Sequence, residues 1–310
     1  MLKVDPPKND YPKVKLIGVG NMGCDIVNYL FTKGIYGTEF LVCNSDEKTL
    51  NASPVIDKIH IENTFSIDSK LNEKGRKSYK NEILSFFTRL TNALIVVAEL
   101  SEYENSGISS DVRQIKEEFI VNDINKEKIL CIGLILSEKN EANKHSISKL
   151  QNSFDSLLLF SECDFSQSEH PYYNSKENIL HYFLHKASSC IIETFTIQGF
   201  VCTDFRDLYY MMKNKGRIGF MGIGIAETDK SILKAVEMAF QSLLMKGTDL
   251  KTIKKILLSF NTKDYGITIP EVCECTDFIQ KRTSKNAVIM WGAGLDNNLE
   301  DKNEITIIIC

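Results

Sequence analysis

The chain has 310 residues, 43% of them hydrophobic and 25% charged, which supplies core for one large or two fused globular domains. A net charge of −4 and a pI near 5.8 argue against a nucleic-acid surface. No apolar run reaches the ~20 residues that span a bilayer, and the opening residues lack the pattern of a secretory leader.

Residues 1–12 are expected to form a disordered arm. Val14–Gly20 predicts a strand running into a turn, and Asn21–Asp25 opens a helix with Ile26, Val27, Leu30 and Phe31 on its inner face. Gly34 is placed to end that helix, and Glu39–Asn44 predicts the next strand. The result is a βαβ unit with Gly18-x-Gly20-x-x-Gly23 at its first turn. Leu71–Leu90 reads as a polar-faced helical region. Ala93–Ala98 and Ile129–Leu136 predict buried strands separated by a helix over Val112–Phe119. Ser146–Phe154 predicts a helix and Ser156–Phe160 a strand. This alternation implies a parallel sheet covered on both faces.

Glu177–Phe195 is the longest helical pattern, with apolar residues at helical spacing from Leu180 to Phe195. Gly199–Asp207 reads as a loop feeding a short helix. Beyond it, Arg217–Ala226, Ile253–Asn261, Ala287–Gly294 and Ile305–Cys310 predict strands, and Ser231–Leu244 and Pro270–Arg282 predict helices. The last two strands are expected to pair as a hairpin across the polar turn Asp296–Glu304. That makes the C-terminal part an α+β unit.

Several residue groups invite a chemical reading. Gly18-x-Gly20-x-x-Gly23 fits a dinucleotide fingerprint, with Asp46 where a ribose-binding acid would sit. It fits another phosphate site, or a purely structural turn, equally well. Asp204 and Asp207, three apart at a loop–helix junction, can face one side and orient a water or a cation; helix N-terminal acids stabilised by the dipole are the plainer account. His181 and His185 have the i, i+4 spacing of zinc ligands, but no third ligand is visible, so packing is the expectation. Nine scattered cysteines without a leader favour reduced thiols in a cytoplasm. Cys273-x-Cys275 has no second pair near it in sequence and reads as packed thiols.

The stretch after Ala98 is unusual. Glu99-Leu100-Ser101-Glu102-Tyr103-Glu104-Asn105-Ser106-Gly107 stands where the rest of the chain leads one to expect a glycine-rich phosphate cradle. At an effective dielectric of ~20 and about 5 Å, each carboxylate–phosphate pair would cost roughly 3 kcal/mol. The expected loop is therefore hostile to a phosphate.

Taken together, these segments resemble the FtsZ/tubulin superfamily, in order, from about Val14 to the last residue. Lys15–Gly23 is similar to the family's first glycine loop, Gly37–Asp46 to its second strand and following turn, and Cys202–Leu208 to its synergy loop. Phe220–Ala226 and Val288–Ala293 are similar to strands of its C-terminal domain. The resemblance implies an α/β fold: a parallel-sheet nucleotide-type domain over residues 13–173, a central helix over 174–199 and an α+β domain over 200–310. It also implies GTP on the top face, completed by the synergy loop of the next subunit in a head-to-tail filament. Carried over residue by residue, the nucleotide side keeps Gly18, Gly20, Asn21, Gly23, Asn44, Ser106 and Gly107, with Met22 and Asp25 as altered members. The hydrolytic side keeps Asp204 and Asp207.

The departures cluster at the nucleotide. The family's glycine-and-threonine loop falls on Ser101–Gly107, its guanine-reading pair near His181-Tyr182, another base-contacting asparagine near Glu162, and its synergy-loop asparagine on Cys202. The expectation is a cytoplasmic, prokaryotic cytoskeletal protein that forms, caps or copolymerises with protofilaments, with a degenerate GTP site and no cofactor. Its partner is expected to be itself or another FtsZ-like subunit, with no nucleic acid. A chain stopping at Cys310 is expected to lack the family's tail and so any direct membrane anchor. The alternative is an active polymerisation-coupled GTPase with an unorthodox phosphate loop, using GTP or GDP with magnesium; a NAD-dependent oxidoreductase ranks below both.

Overall fold

The structure, a computed structural model, describes residues 13–35, 37–61, 82–83, 85–86, 91–106, 108, 112–113, 129–137, 144–161, 176–196, 205–213, 217–227, 232–244, 249–263, 267–296, 299 and 302–309. The arm over 1–12, most of the expected helices at Leu71–Leu90 and Val112–Phe119, and Gly107, Glu162, Cys202 and Asp204 lie outside the described residues.

The first half alternates strand and helix: β1 (Lys13–Val19), α1 (Gly20–Lys33), β2 (Thr38–Asn44), α2 (Glu47–Ala52), β3 (Asp57–His60), β4 (Thr91–Glu99), α3 (Leu100–Ser106), β5 (Leu130–Ser137), α4 (Lys144–Ser153) and β6 (Ser156–Ser161). The central helix α5 (Lys176–Thr196) follows, then α6 (Phe205–Met212), β7 (Arg217–Glu227), α7 (Ile232–Leu244), β8 (Lys255–Thr262), α8 (Ile269–Arg282), β9 (Val288–Leu295) and β10 (Lys302–Ile309). Helix α1 stops at Gly34, whose φ of 71° is left-handed and whose N–H returns to the Phe31 carbonyl. Two short elements, α2 and β3, carry too little hydrophobic period to be read from the sequence.

The strands form one ten-stranded sheet in the order β3-β2-β1-β4-β5-β6-β7-β10-β8-β9. From β3 to β6 every pairing is parallel, as expected for strands of unbroken apolar residues such as Leu94–Ala98 and Leu130–Leu136. One face of this part packs Leu16, Val97 and Leu134 against α1 and against Leu184 and Ile191 of α5. The opposite face buries Ile17, Val96, Cys131 and Phe154. A separate core forms among Ala235 and Phe240 of α7, Ile279 of α8, and Ile305 and Ile307 of β10.

The expected terminal hairpin is not there. β10 lies antiparallel between β7 and β8, and β9 lies outside, parallel to β8. Burial explains it: Ile305–Ile309 are all buried, the pattern of a central strand, whereas Val288–Gly294 are all partly exposed or exposed, the pattern of an edge. The polar turn joins strands that are sequential without being neighbours.

Polar groups tie the central helix to the last strands. Lys186 Nζ meets Glu304 Oε1 at 2.7 Å and Asp296 Oδ2 at 3.3 Å, and the Tyr182 hydroxyl donates to Glu304 as well. Glu193, half-buried on the same helix, is pushed up to about 7, first by burial and then by Asp296 and Glu304, with Lys186 opposing. A carboxyl raised in the folded state favours folding when protonated. Its contribution is full below about 4.5 and lost as pH rises through about 7. Replacing Glu193 with glutamine is expected to flatten that part of a stability–pH profile, measured by urea unfolding at stepped pH; an unaltered slope would refute this.

Candidate functional site

The three glycines of the first turn are needed for different reasons. A Cβ on Gly18 would strike the carbonyl of Gly23, and one on Gly23 would strike the carbonyl of Val97 on β4. Both are therefore required by the close packing of α1 on β1 and β4, with or without a ligand. Gly20 differs. Its φ is 74°, and a Cβ there would run into the carboxylate of Glu102.

Glu102 comes from the segment expected as an open loop, and that expectation is corrected. β4 passes from Glu99 straight into helix α3 at Leu100. Between Glu99 and Ser106 no glycine offers unusual dihedrals, and leucine and glutamate favour helix. Tyr103 turns inward, fully buried, its ring 5.6 Å from that of Phe154. It is thus a core residue, not an obstruction facing a ligand. Ser106 is also turned to internal use: its hydroxyl donates to the Tyr103 carbonyl at 2.8 Å and accepts from the Ile108 N–H at 3.2 Å.

With Tyr103 anchored, Glu102 reaches across to the start of α1. Its Oε1 accepts the Asn21 backbone N–H at 3.1 Å. Its Oε2 is buried without a hydrogen-bond partner among the described residues. Burial raises the Glu102 pKa; the Asn21 bond opposes the shift, and Glu99 and Asp25 reinforce it. The first turn of a helix presents unbonded N–H groups and the positive end of the dipole, where an anion is stabilised. Here the anion comes from the chain itself.

Around this contact the sequence-predicted residues divide. Asn44 is buried; its Nδ2 donates to Asn21 Oδ1 at 2.9 Å, and its Oδ1 accepts the Asp46 N–H at 2.9 Å. Gly20, Asn21, Asn44 and Glu102 therefore converge. Met22 packs against the core, and Asp25 is exposed nearby. Cys24 lies beneath Asn44, its thiol pushed up to about 12 by burial, which makes it unreactive. Asp46 caps α2: the Lys48 and Thr49 N–H groups bond its carboxylate, and the Lys48 bond, then the Thr49 hydroxyl, hold its pKa below the usual range. That spends the acid a dinucleotide reading would have assigned to ribose.

Asp207 is exposed in the first turn of α6, which packs on α5, β5 and β8; it shares no described hydrogen bond or ion pair with the glycine turn. His185 is half-buried beside Tyr29, ring centroids 4.6 Å apart, and desolvation drives its pKa down to about 3, so it stays neutral packing material. Cys273 is exposed and Cys275 buried, so the two thiols do not share a site. Among the described residues no three His, Cys, Asp or Glu side chains gather as metal ligands. No described helix is long and apolar enough to cross a membrane. The Glu102–Asn21 bond was not foreseen from sequence. Two acids in place of glycines marked the spot, but nothing local showed that one would turn back onto the helix.

Three comparisons bear on this geometry. Residues 218–310 match the family model described as the FtsZ family C-terminal domain. The mitochondrial division protein fszB of Dictyostelium discoideum is 24% identical over 96% of this chain and 83% of its own length. The cell division protein FtsZ of Magnetospirillum gryphiswaldense is 22% identical over 97% of this chain, which spans about half of that relative (54%). Among solved structures, an FtsZ dimer from M. jannaschii, described as empty, superposes with a TM-score of 0.80 at 21% identity, covering 97% of this chain and 89% of that one. A eukaryotic relative in this set means that similarity does not confine the chain to prokaryotes.

Proposed function

We propose, from the premise that the chain is a divergent member of the FtsZ/tubulin superfamily, that it is a cytoskeletal protein forming or modulating protofilaments while binding GTP weakly or not at all. One observation carries the second half: the Glu102 carboxylate already accepts the Asn21 N–H at the head of α1. The residues present do not suit a triphosphate. A phosphate over Gly20 would meet this carboxylate at short range, with Glu99 and Asp25 adding to the repulsion. Equilibrium binding of GTP and GDP with magnesium tests the reading. Micromolar affinity, or phosphate release that climbs with protein concentration, would favour the active GTPase instead.

Assembly rests on other residues. The resemblance gives the partner as another copy or another FtsZ-like subunit, docked head to tail through the segment bearing Asp204 and Asp207. Asp207 is exposed and free to meet a neighbour. In co-sedimentation, the Asp204→Ala/Asp207→Ala double variant is expected to pellet several-fold less than the parent chain with such a partner; equal pelleting would remove the acids from the contact. The reading places the protein in a cytoplasm.

A further inference from the structure

The two edges of the ten-stranded sheet are built differently. β3 is four residues long and carries Asp57, Lys58 and His60, the short charged form that discourages further pairing. β9 is eight residues, Val288-Ile289-Met290-Trp291-Gly292-Ala293-Gly294-Leu295, with no charge and no proline. It pairs with β8 in unbroken register from Lys255↔Val288 to Thr262↔Leu295, so no bulge bends it away. The Val288 N–H bonds the Lys254 carbonyl and the Asp296 N–H bonds the Thr262 carbonyl. Backbone groups alternate sides along a strand, so the even-numbered residues face β8. Ile289, Trp291, Ala293 and Leu295 therefore turn their N–H and C=O groups to the open edge. The strand is held firmly: Ile289, Trp291 and Ala293 pack on the C-terminal core, and Trp291 meets Phe260 with ring centroids 6.2 Å apart. No described strand lies beyond it.

We propose that this edge takes a second copy of the same strand, antiparallel about a twofold axis at Trp291, fusing two sheets side by side. Charge selects the occupant and its direction. Among the described residues, Lys281, Arg282 and Lys285 precede β9 and Asp296 directly follows it. Antiparallel self-pairing sets the basic flank of each copy beside the acidic flank of the other; parallel pairing would set like beside like. Ile289 then faces Ala293 of the second copy, and outward backbone groups meet outward backbone groups. In a filament this contact joins neighbours laterally, independently of any head-to-tail contact.

Sedimentation equilibrium, hydrogen exchange and the emission of the sole tryptophan, Trp291, test the pairing together. The expected result is a dimer whose Ile289, Trp291 and Ala293 amides slow in exchange as concentration rises, with a parallel change in emission. Ala293→Pro removes an outward N–H without breaking the β8 ladder, and Val288→Glu, at an exposed position, sets a negative charge beside the acidic flank of the other copy. Each is expected to weaken dimerisation roughly tenfold or more with the circular dichroism of the parent chain retained. A monomer at every concentration, a dimer indifferent to both changes, or edge amides already protected in the monomer would each overturn the proposal.

Discussion

Alanine at position 102 is expected to raise affinity for GTP, and for inorganic phosphate, about a hundredfold over the parent chain. The magnitude follows from removing one carboxylate–phosphate repulsion of roughly 3 kcal/mol, since each ~1.4 kcal/mol is a factor of ten. The change also frees the Asn21 N–H and clears the space over Gly20. Helix α3 should persist, because alanine is a strong helix former and Tyr103 and Ser106 keep their internal contacts. Glu102→Gln separates charge from bulk: it removes the repulsion but leaves the space filled, so an intermediate gain is expected. Titration calorimetry with phosphate and with GTP-magnesium reads both. If alanine, glutamine and the parent chain bind equally poorly, self-occupation by Glu102 is not what closes the site.

Removing one partner from the Lys186–Glu304 pair is expected to cost roughly 3–5 kcal/mol of folding stability. Both residues are buried, and Glu304 is fully so. Lys186→Met would strand a carboxylate that otherwise receives the ammonium at 2.7 Å and the Tyr182 hydroxyl. Burial works against the Lys186 charge, but Glu304 and then Asp296 outweigh it and raise the lysine pKa. A lysine raised on folding keeps its stabilising effect below its unfolded pKa near 10.5, and the effect fades as pH climbs past the folded value. The double variant Lys186→Met/Glu304→Leu should regain most of the loss, because a matched apolar pair leaves no charge stranded. Urea unfolding of the three variants checks this. A single variant as stable as the parent chain would show that the pair is incidental.

The parallel half of the fold was readable because its signals are local and redundant. Ala93–Ala98 and Ile129–Leu136 are unbroken apolar runs, Val14–Gly20 is interrupted only by Lys15, and the long helix carries its own period from Leu180 to Phe195. Pairing partners were less legible. The sequence places β9 beside β10, and only burial tells that β10 belongs inside the sheet and β9 outside it.

The candidate site was legible in location and only partly in conformation. Glu102 stood out because a carboxylate replaced an expected glycine. That the segment folds as a helix depends on Tyr103 finding Phe154, fifty-one positions later, which no local pattern reveals. The glycine fingerprint misled in a useful way. Gly18 and Gly23 are accounted for by the nearness of two backbones, so their presence is no testimony to a bound nucleotide.

The seam between the two halves of the sheet is short. β6 and β7 share only Ser156↔Arg217, Leu157↔Ile218 and Leu158↔Gly219, after which β7 continues alongside β10. Apart from the four-pair edge ladder of β3, each half is cross-braced by ladders of six to eight pairs, so a twisting load applied at the ends of the molecule has one place where it can be absorbed cheaply. A twist between the halves is therefore expected to open those three pairs first.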